Sequence, residues 1–137
     1  MLFFEEINYT CIFVEYYAAM KTLVIGASPN PDRYGNIVVK KLLNYGNEVV
    51  LMGSKKGNVE GIEIFINRPV QENVHSVTLY LSMKRQKDWY DYIVELAPKR
   101  VIFNPGAENA ELSAILKEEN IEPVNACTLT MLSLALY

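Results

Sequence analysis

The sequence predicts an α/β domain built on a doubly wound parallel sheet of about five strands, with helices on both faces. Short runs of aliphatic and β-branched residues alternate along the chain with segments whose apolar residues recur at helical spacing, as in repeated strand–helix units. Most of these runs are apolar throughout, which is typical of parallel strands buried on both faces. At 137 residues, the chain fits one such domain with a substantial core.

Short apolar runs predict the positions of the strands. The first covers residues 22–25 and ends at Gly26, and the second covers residues 48–52 and ends at Gly53. A short third strand is expected within residues 61–65. The later runs lie at residues 77–81, 100–103 and 121–124. The glycines directly after the first two runs favour tight turns at the strand ends.

Segments with helical periodicity separate these runs. The first helix is expected to stop at Gly46, and the second is expected to stop before Pro98. Asn109 is the expected N-cap of a third helix, and a terminal helix is expected over residues 128–136. The apolar positions that define the first three helices are Ile37, Val38, Leu42 and Leu43; Trp89, Tyr92, Ile93 and Leu96; and Leu112, Ile115 and Leu116.

The first 20 residues differ in composition from the rest. They contain no Lys or Arg, and three glutamates interrupt their apolar run, so the segment fits neither a signal peptide nor a membrane span. Met20 could serve as an alternative initiator. We therefore expect residues 1–20 to form an extension outside the core fold and residues 21–137 to form the domain. The alternative is an added edge strand or oligomer contact built from the alternating residues Ile12, Val14 and Tyr16.

Composition and charge exclude several classes of protein. The formal charge is −3 and no basic block is present, which argues against nucleic acid as the main partner. The two cysteines, Cys11 and Cys127, are far apart in sequence, so a disulfide scaffold and a zinc-finger site are excluded. His75 is the single histidine and is expected at the surface, so no metal site is predicted. The cysteine usage favours a cytoplasmic location, and no membrane partner is expected.

The turn over residues 26–35 is the most informative part of the sequence, because it joins the first strand to the first helix. Ligands bind at this place in doubly wound sheets. Gly26 permits a sharp turn and the close approach of a phosphate, the Ser28 hydroxyl can donate a hydrogen bond, and Arg33 can reach an anion. Main-chain donors are expected from Ala27, Ser28, Asn30 and the first helical turn. The alternative is that Gly26 and Gly35 serve only the turn and tight packing.

A family resemblance follows from the order and spacing of several blocks along the chain. These blocks are VIGASPNPDRYG at 24–35, NEVVLMG at 47–53, NRPV at 67–70, VTLYLS at 77–82, VIFNPGAENAEL at 101–112, and the late Cys127. With them, the chain resembles the small single-domain CoA-binding proteins. It is similar to the CoA-binding, Rossmann-like domain of the succinyl-CoA synthetase α subunit.

The resemblance implies that the cofactor is coenzyme A or an acyl-CoA, and it implies a role for several residues. Gly26, Ala27 and Ser28 would hold the diphosphate, and the segment containing Gly53 would lie beside the adenosine ribose. Lys55 or Lys56 could pair with the 3′-phosphate, although both could equally belong to a solvated loop. The residues after the later strands complete the implied site: Ser82, facing the diphosphate or the pantetheine arm, and then Asn104 and Gly106.

We expect a non-catalytic binding module for a small-molecule nucleotide ligand, with a protein partner or homo-oligomer also compatible with the sequence. The sheet and its helices use most of the chain, so no second domain remains to bind a substrate. The end of the second strand has no acidic residue for an NAD ribose. Cys127 is expected to be buried and inert. Two alternatives stay open: an NAD(P)-binding or thiol-dependent enzyme that uses Cys127, and a regulatory subunit with a decayed nucleotide pocket.

Overall fold

The computed structural model describes residues 20–137. The expected N-terminal extension, and the alternative edge strand formed by Ile12, Val14 and Tyr16, lie outside the described residues. The strands are β1 (Lys21–Ile25), β2 (Glu48–Met52), β3 (Asn58–Val59), β4 (Ile62–Phe65), β5 (Val74–Leu79), β6 (Arg100–Phe103) and β7 (Glu122–Asn125). The helices are α1 (Tyr34–Asn44), α2 (Met83–Gln86), α3 (Tyr90–Leu96), α4 (Ala110–Glu118) and α5 (Thr128–Ser133), and a single 3₁₀ turn covers Lys87–Trp89.

All seven strands form one sheet in the order β3-β4-β2-β1-β5-β6-β7. Every neighbouring pair is parallel except β3 and β4, which are antiparallel. The chain builds the sheet outward from β1 to one edge and then returns to β5, on the other side of β1, to build toward the opposite edge. The order of addition therefore reverses between β1 and β5.

The expected number of about five strands is wrong, because residues 20–137 alone form seven. The strand expected within 61–65 forms as β4, and β3 pairs with it across a two-residue turn. Glu60 and Gly61 occupy that turn with φ values of 51° and 80°, the left-handed conformation of a tight hairpin turn. With only two residues, β3 is too short for a periodic pattern to indicate it.

Helices cover both faces of the sheet, as the continuous apolar strands predict. In β1, Leu23 and Ile25 point into one core together with residues of α3 and α4. Val24 points into a second core on the opposite face, where α1 and α5 pack. All three side chains are fully buried, so the central strand has no solvent-facing side.

Two local predictions have different outcomes. Asn109 caps α4, because its side-chain oxygen accepts a hydrogen bond from the Leu112 N–H at 3.0 Å. His75 is expected before the strand and at the surface, but β5 begins at Val74 and includes it, and its side chain is half-buried. Its ring nitrogen Nδ1 lies 2.8 Å from the Ser76 hydroxyl. Within residues 20–137, no helix has the length and apolar character needed to cross a bilayer.

Candidate functional site

An open cavity of about 590 Å³ lies at the carboxyl ends of β1 and β5, where the order of the sheet reverses. This is the place where doubly wound sheets bind ligands. Its lining comes from the β1–α1 turn, the loop after β2, and the loops after β5 and β6. The lining residues are Gly26, Ala27, Ser28, Pro29, Asn30, Arg33, Tyr34, Gly35, Ser54, Lys55, Leu79, Tyr80, Leu81, Ser82, Arg85, Asn104, Pro105, Gly106 and Ala107.

The β1–α1 turn is fixed by its own hydrogen bonds and by the end of β2. The N–H groups of Gly26 and Ala27 both donate to the Met52 carbonyl, at 2.9 and 3.0 Å. The Asn30 N–H donates to the Ser28 hydroxyl oxygen at 3.1 Å. A Cβ atom on Gly35 would lie 2.1 Å from the Gly26 carbonyl oxygen, so only glycine lets the first turn of α1 press against the end of β1. The start of the helix therefore borders the cavity.

Three main-chain donors at this turn have no acceptor within the described part of the chain: the N–H groups of Ser28, Tyr34 and Gly35. Arg33, at the N-cap position of α1, makes no side-chain capping bond, and the first turn of the helix contains no acidic residue. Free donors at the positive end of an eleven-residue helix favour an anion. The predictions that Ala27 and Asn30 supply such donors are wrong, because the Met52 carbonyl accepts the Ala27 N–H and the Ser28 hydroxyl accepts the Asn30 N–H.

The charged side chains of the lining all have the same sign. Arg33, Lys55 and Arg85 are exposed at the cavity, and none of the described lining residues is a carboxylate. Arg33 and Lys55 belong to the loops after β1 and β2, whereas Arg85 lies in α2 after β5. The cavity therefore attracts anionic ligands from both sides.

Of the predicted site residues, nine line the cavity: Gly26, Ala27, Ser28, Asn30, Arg33, Lys55, Ser82, Asn104 and Gly106. Gly53 and Lys56 do not. A Cβ atom on Gly53 would lie 2.2 Å from the Ala27 carbonyl oxygen, so this glycine serves the close packing of β2 against the turn. Lys56 is exposed next to Lys55 but outside the lining.

Asn104 borders the cavity, but its side-chain amide is directed into the protein and the residue is only 3% exposed. Its Nδ2 donates to the Thr78 hydroxyl at 2.7 Å and to the Leu79 carbonyl at 3.0 Å. Its Oδ1 accepts the Thr128 N–H at 2.9 Å, at the start of α5. The side chain therefore joins β5, β6 and α5 and is not available to a ligand.

Ser82 and Gly106 lie at the exposed rim on the β5–β6 side of the cavity. The Gly106 N–H donates to the Glu108 carboxylate at 2.6 Å, so this main-chain donor is already used. The sequence patterns did not indicate Tyr34 or Arg85 as site residues, although both line the cavity, and Ser54 lines it as part of the segment that the resemblance places beside the ribose. These residues lie in or next to the sequence motifs, but whether their side chains face the cavity depends on loop geometry that the motifs do not specify.

Cys127 does not line the cavity, and the expectation that it is buried is wrong, because its thiol is partly exposed at the start of α5. Burial raises the pKa of this thiol, but the Thr130 hydroxyl, the N–H groups of Leu129 and Thr130, and the Lys41 ammonium together lower it below its ordinary value. The thiol is therefore more acidic than that of free cysteine.

Residues 20–133 match the protein family described as CoA binding domain. A solved structure of an uncharacterized protein is 49% identical, with a TM-score of 0.85, and the alignment covers 86% of this chain and 98% of that one. A hypothetical protein from Pyrococcus horikoshii OT3 is 25% identical, with a TM-score of 0.78 and coverage of 97% and 92%. None of the curated proteins matches the sequence.

A more distant structural similarity is to the dinucleotide forming acetyl-coenzyme A synthetase 1 of Ca. Korarchaeum cryptofilum, solved in complex with phosphate and ADP. That similarity covers 81% of this chain but 26% of the synthetase, at 16% identity and a TM-score of 0.65. At this identity it shows a shared fold and nothing more.

Proposed function

Because the chain belongs to the family of CoA-binding domains, we propose that it binds CoA or an acyl-CoA in the cavity at the carboxyl ends of β1 and β5. The observation that carries the proposal is the set of free N–H donors at the start of α1, beside a lining with three basic side chains. A diphosphate has negative charge and several acceptor oxygens, so both features suit it. The doubly wound order of the sheet supports a Rossmann-like mode of nucleotide binding.

The proposal gives each side of the cavity one part of the ligand. The free N–H groups of the β1–α1 turn and the Arg33 guanidinium bind the diphosphate. Lys55, on the loop after β2, pairs with the 3′-phosphate that distinguishes CoA from dephospho-CoA. Ser82 and Gly106 lie beside the pantetheine arm, together with Leu81 of the same lining.

We further propose that the domain binds this ligand without transforming it. The described lining residues include no carboxylate, imidazole or thiol, which are the commonest groups for acid–base and nucleophilic catalysis. An NAD site is disfavoured because Met52, Gly53 and Ser54, at the end of β2, offer no carboxylate to a ribose hydroxyl. The alternatives, an NAD(P)-linked or thiol-dependent enzyme and a regulatory subunit that binds no nucleotide, are outcomes of the same test.

Calorimetric titration with CoA, dephospho-CoA, NAD and NADP tests the proposal directly. We expect CoA to bind most tightly, with dephospho-CoA weaker. Tighter binding of NAD or NADP would reassign the ligand, and a protein that binds none of the four would favour the decayed pocket.

Two variants of Ser28 locate the site. Ser28→Tyr places a ring where the β1–α1 turn borders the cavity and should abolish CoA binding while the protein stays folded. Ser28→Ala keeps the main-chain N–H and loses the hydroxyl with the exposed hydrogen bond that it accepts from the Asn30 N–H, so it should still bind CoA, far more tightly than Ser28→Tyr does. Equal binding by wild type and Ser28→Tyr would place the ligand elsewhere.

A further inference from the structure

Gln86 is a fully buried polar residue at the end of a short exposed helix. The other three residues of α2 are exposed, whereas Gln86 has 0% of its surface accessible. A buried amide is costly unless all of its hydrogen-bonding groups find partners. Its partners therefore show what the residue does in this fold.

The two hydrogens of the Gln86 amide reach two different loops. Nε2 donates to the Leu81 carbonyl at 2.8 Å and to the Ala107 carbonyl at 2.7 Å. Leu81 follows β5 and Ala107 follows β6, and both line the cavity. Residues 81, 82, 85 and 104–107 line the cavity on the β5–β6 side, and we call them together its distal wall. One side chain thus ties the two halves of the distal wall together.

The orientation of this amide is fixed from its other end. Gln86 Oε1 accepts a hydrogen bond from Asn109 Nδ2 at 2.9 Å, and Asn109 Oδ1 accepts the Leu112 N–H at 3.0 Å. Main-chain carbonyls at one end and a main-chain N–H at the other leave a single arrangement of donors and acceptors for both side chains. The cap of α4 is therefore coupled through two amides to the distal wall.

We propose that Gln86 is a positioning residue for the pantetheine arm. By holding the loops after β5 and β6 at a fixed separation, it sets the shape of the distal wall along which the arm lies. Gln86 is not itself part of the lining. This inference rests on the proposed function, because it assigns a role within the same site.

The test compares CoA with 3′-phosphoadenosine 5′-diphosphate, which has the nucleotide and diphosphate of CoA but no arm. Gln86→Met has a similar volume and removes every hydrogen bond of the amide. In calorimetric titrations it should bind CoA about tenfold more weakly than wild type, a loss typical of a misplaced binding wall. The affinity for 3′-phosphoadenosine 5′-diphosphate should change less than about twofold, because the β1–α1 turn keeps its free donors. A purely structural role would not change the ratio of the two affinities.

A second variant keeps the inference testable if Gln86→Met fails to fold. Asn109→Asp still caps α4, but it places a carboxylate oxygen against Gln86 Oε1. The Gln86 amide must then rotate and direct its donors at the new carboxylate, which releases the Leu81 and Ala107 carbonyls. The same selective loss of CoA affinity is expected, together with faster amide hydrogen exchange at Ala107. The control is Tyr90→Phe, which removes the hydrogen bond from Asn109 Nδ2 to the tyrosine hydroxyl and the exposed bond that this hydroxyl donates to Glu111, and which should leave both affinities unchanged.

Each outcome decides between this inference and the proposed function. Selective loss of CoA affinity in a folded variant supports the positioning role. An unchanged ratio in Gln86→Met or Asn109→Asp, or equal losses for both ligands, overturns it while CoA binding by the wild type stands. A wild-type protein that binds the two ligands equally well also overturns it, and one that binds neither overturns the proposed function as well.

Discussion

Replacing Asn104 by alanine tests whether its side chain stabilises the fold or contacts the ligand, because the two roles predict different effects on stability and on CoA affinity. The substitution removes three hydrogen bonds, to the Thr78 hydroxyl, the Leu79 carbonyl and the Thr128 N–H, at distances of 2.7 to 3.0 Å. Each such bond contributes about 1 kcal/mol net, and the buried Thr128 N–H is left without its acceptor. We therefore expect Asn104→Ala to lower the free energy of unfolding by about 3 kcal/mol.

The assay is guanidinium-induced unfolding followed by circular dichroism, combined with calorimetric titration of CoA below the transition. An unchanged dependence on denaturant concentration would show that the difference lies in stability and not in the unfolded state. Since the Asn104 amide is directed away from the cavity, the CoA affinity of the folded variant should fall less than about threefold, which is within about 0.7 kcal/mol. Asn30→Ala is the control, because Asn30 also lines the cavity but is exposed, and its loss should cost about 0.5 kcal/mol of stability or less.

The opposite pattern would refute this reasoning. If Asn104→Ala lost less than about 1 kcal/mol of stability but bound CoA at least tenfold more weakly, its amide would contact the ligand. The role that the family resemblance implies for Asn104 would then be correct, and the hydrogen bonds to β5 and α5 would be secondary.

Three further predictions address the ligand, the edge hairpin and the pH dependence of stability. Lys55→Ala should weaken CoA binding about three- to tenfold and leave dephospho-CoA binding unchanged. The matched variant Lys56→Ala, outside the cavity, should change the affinity for neither ligand. Equal effects of the two variants in calorimetric titration would exclude a specific contact between Lys55 and the 3′-phosphate. Glu60→Asn should raise the free energy of unfolding by about 0.5 kcal/mol, because asparagine suits the φ of 51° before Gly61 better than glutamate does, and a loss of stability in denaturant titrations would contradict this turn geometry. Burial and, after it, the charges of Arg100 and Lys99 lower the pKa of His75 below 6.5 in the folded protein. Because the unfolded chain then binds a proton on this imidazole more readily than the folded protein does, the free energy of unfolding should fall as the pH drops through about 6.5. Unfolding titrations across that range should show a weaker pH dependence in His75→Gln than in wild type.

The residue types along the chain were enough to predict the frame of the fold. Continuous apolar runs identify β1 and β2, and glycines after them mark the turns. The β3 strand has only two residues, and its pairing with β4 depends on a turn conformation that Glu60 does not favour, so local propensity gives no signal for it. His75 shows the same limit, since the strand extends past the boundary that the apolar run suggested.

The sequence predicts where the candidate site lies, but it does not predict which of its hydrogen-bonding groups are free to contact a ligand. The GAS turn and the start of α1 lie where the strand–turn–helix pattern places them. Whether a given N–H is free depends on tertiary neighbours: Ala27 loses its donor to the Met52 carbonyl, while Ser28 keeps its own. Asn104 and Gln86 show the same dependence, because each could contact a ligand by chemical type and each is instead committed to main-chain groups of another element.

These hydrogen bonds show that the two sides of the cavity are fixed by different groups. On the β1–α1 side, the free donors belong to the main chain, and the Met52 carbonyl and the packing of Gly35 set their positions. On the β5–β6 side, the buried amide of Gln86 ties the two loops together, and the buried amide of Asn104 joins the end of β6 to β5. Substitution of exposed side chains on the first side should therefore affect the binding of charged groups without changing the turn. Substitution of Gln86 on the second side should instead change the shape of the wall, and this difference makes affinity ratios between whole and truncated ligands more informative than single affinities.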